Sequence, residues 1–383
     1  MIELSRTVES LAPSGIRDFF DLVMSMDDVI SLGVGEPDFA TPWHIREAAI
    51  KSIEDGYTNY TSNKGMPELR KAICTHLDKV HQLNYDYEEE ILITTGVSEG
   101  MDLAMRALIN PGDEVIIPTP CYVSYYPTAK MAGARVKLLN TEPDQFKLNP
   151  EKLADAISPA SKIVVLNYPS NPTGTTYDKS LLEQLAELII KHDLIVISDE
   201  IYSHLTYDLQ HIPLPTLPEL RERTIFFNGF SKSCAMTGLR IAYATGPEKI
   251  IGAMTKIHQY TMLCAPTTSQ FAAIEATNHG ADAIASMKKE YKRRRNLVHE
   301  KLNRLGLDCP LPDGAFYAFP SIKKTGLDPT TFCKKLLTQQ QVAAVPGTAF
   351  GPGGEERIRI SYATDFQQLR EALKRIELFL QSL

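Results

Sequence analysis

Residues 161–202 read SKIVVLNYPSNPTGTTYDKSLLEQLAELIIKHDLIVISDEIY, and the hydrophobic period changes twice along them. The run 161–167 is short, apolar and rich in β-branched residues, and so is 193–200. Between them Leu181, Leu182, Leu185, Leu188 and Ile189 recur at helical spacing. A strand, a helix of about 10–15 residues and a second strand form a unit whose strands lie parallel and whose helix covers the sheet. The alternation continues both ways. Upstream, 91–95, 114–118 and 134–139 read as strands, with helical text after the first and near 122–132; downstream come 224–228 and 239–245. The segment 282–304 reads as a long charged helix, followed by strand-like 315–320, 341–346 and 357–363 and a last helix over 365–381. The expected fold is α/β: a large domain over 45–280 with a mostly parallel sheet, and a smaller α/β domain joining an N-terminal arm, 1–44, to 281–383. Two finer expectations go with it. Lys292-Arg293-Arg294-Arg295 reads as a solvated helix face, flanked by Glu290 and Glu300. Residues 12–40 read as an element that orders when substrate binds.

Composition narrows the function classes. Of 383 residues 43% are apolar and 23% charged, near the globular average, which argues against disorder, collagen and coiled coil. The 40 Lys and Arg against 47 Asp and Glu leave a formal charge of −7, so neither nucleic acid nor an anionic membrane surface is an expected partner. No apolar run approaches the roughly 18 residues of a membrane span, and the charged start MIELSRTVESLAPSGIRDFF lacks the apolar core of a signal peptide. Six cysteines without a CxxC pair or a zinc-like histidine spacing read as reduced thiols of a cytoplasmic protein, with no metal site. A nicotinamide dehydrogenase would need GxGxxG after an early strand, and Gly351-Pro352-Gly353-Gly354 comes too late to serve.

Sheets of this kind bind ligands beyond the carboxyl ends of their strands, so the residues after each strand are the ones to collect. Gly96-Val97-Ser98 turns into a helix N-terminus, whose free N–H groups suit a phosphate. Asn171 stands in Asn171-Pro172-Thr173-Gly174, and Asp199 and Tyr202 follow the strand at 193–197. Ser231 and Lys232 follow 224–228, with Arg240 eight residues beyond Lys232. Each alone is commonplace. Together they supply what pyridoxal 5′-phosphate requires. Lys232 can condense with its aldehyde, Asp199 can keep its pyridine nitrogen protonated, and Asn171 and Tyr202 can meet its ring oxygen. Arg240 and the Gly96–Ser98 amides can hold its phosphate.

The same motifs, with Leu32-Gly33-Val34-Gly35-Glu36-Pro37-Asp38-Phe39, Met236-Thr237-Gly238-Leu239-Arg240 and Arg359-Ile360-Ser361-Tyr362-Ala363, carry a resemblance. Over nearly its whole length the chain resembles the aspartate-aminotransferase superfamily (class I/II, fold type I), nearest to its aromatic and broad-specificity branch. The resemblance implies Lys232 as Schiff-base lysine and proton carrier, Asp199 as pyridinium partner, and Asn171 and Tyr202 on the ring oxygen. It implies Tyr122 stacked on the cofactor, Ser231 on its phosphate, and Arg359 as the fork that grips the substrate α-carboxylate. Gly35 falls where the family's N-terminal segment closes over substrate. Tyr60 matches the tyrosine that reaches the neighbouring subunit's phosphate, which implies a homodimer with shared sites. The implied activity is ping-pong transfer of an amino group between an L-amino acid and a 2-oxo acid. Relatives selective for dicarboxylates add a second cation, in one branch a lysine where this chain has Ser98. An aromatic or broad donor with 2-oxoglutarate as acceptor is therefore expected. The alternatives are a β-C–S lyase on the same fold, which the run 236–240 fits less well, and a non-catalytic cofactor-sensing regulator, whose relatives carry an extra N-terminal DNA-binding domain.

Overall fold

The computed structural model describes residues 2–12, 26 and 28–383. Of the segment 12–40 expected to order on substrate binding, and of the arm 1–44, residues 1, 13–25 and 27 lie outside the described residues.

Twelve strands form three sheets among the described residues. In chain order they are β1 (Ile30–Ser31), β2 (Ile91–Thr94), β3 (Glu114–Thr119), β4 (Arg135–Asn140), β5 (Ser161–Asn167), β6 (Ile195–Asp199), β7 (Thr224–Gly229), β8 (Ala242–Thr245), β9 (Tyr317–Ala318), β10 (Val342–Ala343), β11 (Val345–Pro346) and β12 (Ile358–Ser361). The large sheet runs β2-β8-β7-β6-β5-β3-β4, and β8 alone is antiparallel to its neighbours. It is the mostly parallel α/β sheet that the alternation predicts. Its central strands are apolar on both sides because helices cover both faces. Leu103, Met105, Ile251 and Met254 pack against Ile117, Val165 and Ile197 on one side. On the other, Leu153, Leu182, Leu185 and Ile189 pack against Ile116, Val164 and Val196.

Strand order fixes where a ligand can sit. From β3 the chain steps outward to β4, then returns past β3 to β5 and continues the other way through β6 and β7. The loops after β3 and β5 therefore diverge, opening a crevice at the carboxyl edge of the sheet.

The remaining strands belong to a second packing unit. β1 pairs parallel with β10, and β11-β12-β9 form an antiparallel sheet. Leu32 shares a buried cluster with Phe316, Phe332, Leu336, Ile360 and Phe379, so the described N-terminal strand packs with the C-terminal elements. Tyr202 and Leu205 reach into the same cluster and tie it to the large sheet.

The reading of residues 292–295 as a solvated face is corrected here. In the helix Ala281–Arg304, Arg294 and Arg295 are buried, with side chains only 5% and 4% exposed. Arg294 pairs with Asp38 Oδ1 at 2.8 Å and Glu290 Oε1 at 3.1 Å, and Arg295 with Asp208 Oδ2 at 2.7 Å. Four consecutive residues span more than one turn of a helix, so they cannot share one face. Two of them must turn inward, where acidic partners from 38 and 208 meet them.

Arg294→Met is accordingly expected to lower stability by about 2–3 kcal/mol, because Asp38 loses its buried partner. Lys289→Met, at an exposed position of the same helix, is expected to change it by less than about 0.5 kcal/mol. Urea unfolding of the two variants makes the comparison; equal losses would contradict it.

Candidate active site

A cavity of about 380 Å³ opens at the divergence of the β3 and β5 loops. Its wall includes Gly35, Gly96, Val97, Ser98, Tyr122, Asn171, Asp199, Tyr202, Ser231, Lys232, Arg240 and Arg359. These are all the site residues picked out from sequence except Tyr60, which is 82% exposed on the surface of the single chain.

Asp199 ends β6, and the pleat of that strand aims it. Ile197 faces the cluster of Ile117 and Val165, and Asp199, two residues on, shares its face. There its Oδ2 accepts a 2.6 Å hydrogen bond from the Tyr125 hydroxyl, and its Oδ1 accepts from the Ile201 amide at 3.2 Å. Burial pushes this carboxyl up to about 6, against the pull of those two donors. Asn167, the last residue of β5, donates to the Asp199 carbonyl at 2.8 Å and accepts from the Asn171 amide at 3.0 Å, joining the two strand ends.

Lys232 lies in the one-turn helix Phe230–Ser233 between β7 and β8. Its ammonium donates to the Gly35 carbonyl at 2.6 Å. Burial, reinforced by the nearby Arg359 guanidinium, pushes Lys232 down to about 8, although Glu36 opposes the shift.

At the other end of the cavity, Gly96 turns β2 into the helix Val97–Leu108 with a φ of 97°, and no side chain caps that helix. A Cβ at Gly96 would stand 2.5 Å from Arg240 Nη2, so the backbone and the guanidinium approach as only glycine permits. Arg240 donates only to the carbonyls of Thr237 and Thr95, at 3.1 and 3.4 Å, and has no carboxylate partner among the described residues. An uncapped helix N-terminus beside an arginine without a counter-ion is an anion cradle. The set fits pyridoxal 5′-phosphate: an anion cradle at one end, a buried carboxylate and a lowered lysine beyond it, and the ring of Tyr122 in the wall.

Arg359 comes from β12 and is fully buried, which lowers its affinity for its proton. Nη1 donates to Asn171 Oδ1 at 2.9 Å and Nη2 to the Gly33 carbonyl at 2.5 Å, while Nε has no partner among the described residues. A buried guanidinium with a donor still unpaired, in a residue of the cavity wall, favours the approach of a carboxylate.

Sequence reasoning missed several members of this wall. Tyr125 falls in the helical stretch near 122–132 and Tyr317 in the strand-like run 315–320, neither with a role of its own. Asn167 reads as the end of a buried strand. Glu36, which accepts from Thr237 Oγ1 at 3.1 Å, falls in the quoted 32–39 motif without a role of its own. The only signal available was position, since Asn167 ends a strand and Tyr125 follows Tyr122 by three residues.

Two outcomes test this electrostatic picture. Gly96→Ala is expected to weaken inorganic phosphate and pyridoxal 5′-phosphate binding at least tenfold, read by calorimetric titration; unchanged affinity would remove the cradle. Asp199 holds its proton up to about 6 in the folded chain but only to 3.8 when unfolded. The folded state thus binds more protons between those values, and stability falls as pH rises through that window. Relative to Asp199→Asn, the cofactor-free chain should lose about 2–3 kcal/mol between pH 4 and 6.

Comparison with known proteins gives the family. The family model for aminotransferase class I and II matches residues 27–376. The aspartate aminotransferase of Pyrococcus abyssi is 43% identical over 98% of this chain and 97% of its own. The aromatic-amino-acid aminotransferase 2 of Thermococcus litoralis is 39% identical over the same shares. The crystal structure of an aromatic aminotransferase from Pyrococcus horikoshii superposes with a TM-score of 0.91 at 42% identity, covering 96% of this chain and 99% of that one.

Proposed function

This chain belongs to the class I and II aminotransferases, pyridoxal-phosphate-dependent transaminases of fold type I, and on that premise we propose that it moves the amino group of an aromatic or broadly chosen L-amino acid to 2-oxoglutarate by a ping-pong course. The donor choice rests on one observation, the make-up of the cavity wall. Among the described residues its cations are Lys232, Arg240 and Arg359, and the rest includes Val34, Met101, Tyr122, Val123, Ile201 and Tyr317. With Lys232 and Arg240 turned to the cofactor, Arg359 is left for the substrate α-carboxylate. Among the described residues, the wall offers a side-chain carboxylate Ser98 and apolar or aromatic surface in place of a second guanidinium. Relatives named for aspartate and for aromatic amino acids stand at similar identity, so the donor is argued from the cavity wall and not from their names, and the acceptor from the family resemblance.

The cofactor, when bound, supplies an electron sink for the charge that develops at the substrate α-carbon. The chain's residues do the rest. Arg240 and the amides at Gly96–Ser98 hold the phosphate, with Ser231 adding its hydroxyl, and Tyr122 covers the ring. Asp199, kept oriented by Tyr125, holds the proton on the ring nitrogen, while Asn171 and Tyr202 hold the ring oxygen. Arg359 grips the α-carboxylate and fixes the α-C–H bond relative to Lys232. The Lys232 amine would anchor the cofactor's aldehyde, and as a free amine it is the base placed to take the substrate's α-proton. In the cofactor-free chain a value of about 8 leaves about a tenth of the Lys232 amine neutral at pH 7, a fraction that the ordinary lysine value would cut several-hundredfold.

The same reading makes the enzyme a cytoplasmic homodimer. Tyr60 and Tyr260 are 82% and 84% exposed, and Met262 and Leu263 stand open beside them. The segments that carry them are joined where Asn63 donates to the Leu263 carbonyl at 2.7 Å and Thr267 to the Asn59 carbonyl at 2.8 Å. An aromatic patch of this kind suits a second copy, whose phosphate Tyr60 would reach.

Single amino acids added to the cofactor-loaded protein without an acceptor provide the test. Phenylalanine or tyrosine should bleach the visible band at least tenfold faster than aspartate. Lys232→Ala should show no such band at unchanged circular dichroism. Aspartate as the fastest donor would overturn the donor choice, and pyruvate with ammonia from cystathionine would indicate the lyase.

A further inference from the structure

Tyr317 stands where the two halves of the site meet. It belongs to β9, whose antiparallel ladder with β12 pairs Tyr317 with Ser361. Arg359, two residues before Ser361, shares that face of the sheet, so Tyr317 and Arg359 are diagonal neighbours. The Arg359 guanidinium carbon lies 4.6 Å from the Tyr317 ring centroid and 4.9 Å from that of Phe350. Towards the cofactor side, the Tyr317 and Tyr202 hydroxyls are 2.8 Å apart and buried. The space around the hydroxyl is closed, since a Cβ on Gly35 would come within 2.6 Å of it.

The hydrogen-bond count then assigns a direction. A phenol carries one O–H and accepts on its oxygen. If Tyr202 spends its proton on the cofactor's ring oxygen, the 2.8 Å contact must be made by the Tyr317 O–H. A donor behind Tyr202 polarises it and makes it a better donor in turn. We propose that Tyr317 is a positioning residue with two separable parts: its hydroxyl donates to Tyr202 and fixes that hydroxyl on the cofactor, and its ring is the platform that holds Arg359 flat for the substrate carboxylate. The hydroxyl part rests on the function proposed above; the platform part needs only the chain. The titratable and charged groups around the pair are Lys232, Asp199, Arg359, Tyr122, Tyr291 and Glu36.

Tyr317→Phe keeps the ring and removes the hydroxyl, whereas Tyr317→Leu removes both, with Tyr317→Met in its place should the leucine chain not fold. The platform is read on cofactor-free protein by titration with 3-phenylpropanoate, a carboxylate that has no amine and cannot react. The phenylalanine variant should bind it within twofold of the natural chain, and the leucine or methionine variant about tenfold more weakly. The hydroxyl is read on cofactor-loaded protein from the midpoint of the pH titration of its visible absorbance. Loss of the donor behind Tyr202 should move that midpoint up by about half a unit in Tyr317→Phe. Natural affinity in the leucine or methionine chain would overturn the platform, and an unmoved midpoint in the phenylalanine chain would overturn the donor. A natural chain that takes up no pyridoxal 5′-phosphate would sink the functional reading and the donor with it, while the 3-phenylpropanoate titration would still decide the platform.

Discussion

The site depends on keeping a carboxylate charged where water is nearly absent. Asp199 is 4% exposed at the end of β6, and burial alone would leave it a neutral acid far into the physiological range. The Tyr125 hydroxyl, the Ile201 amide and the Lys232 ammonium oppose that, and together they hold it to about 6. The same dryness acts in reverse on Lys232, which it brings down to about 8 with help from Arg359. Both groups are charged between those values, and both lie close to the pH at which a proton carrier and a proton holder are useful. One desolvated cavity thus sets two values that would otherwise stand far apart.

The sheet makes this arrangement possible. Because β4 departs one way from β3 and β5 to β7 the other, the β3 loop brings Tyr122 and Tyr125 to one wall of the crevice. The β5 loop brings Asn171 to the other side, and the next strand, β6, ends there in Asp199. β8 reverses direction, so the chain between β7 and β8 turns back at the same edge and presents Lys232 and Arg240 there. Arg359 arrives from the smaller antiparallel sheet, and the N-terminal residues Gly33 and Gly35 lend carbonyls to Arg359 and Lys232. Stretches distant in sequence thus meet in a single cavity.

Much of this was legible beforehand because strand ends carry their message in residue type. The run 161–167 matches β5 residue for residue, since an apolar β-branched run bounded by polar text has few other solutions. Asn171, Asp199, Lys232, Arg240 and Arg359 stood out as polar groups where a sheet binds ligands. Tyr125 and Tyr317 did not, because an aromatic side chain in apolar text looks the same whether its hydroxyl is idle or engaged. Arg294 and Arg295 misled for a related reason: their partners Asp38 and Asp208 are remote in sequence, and a charge run shows its own helix but not what packs against it. Tyr60 lies outside the single-chain cavity, and one chain by itself does not tell an exposed tyrosine from one awaiting a partner.

The claim that dryness tunes the site is tested most directly at Lys232 in the protein without cofactor. The rate at which a small amine-reactive ester modifies Lys232 can be followed by mass spectrometry as a function of pH. A midpoint near 8 is the predicted result, shifting upward when the cavity is opened to water. A midpoint near 10.5, the ordinary value for a lysine, would show that the cavity does not desolvate its lysine and would contradict the account.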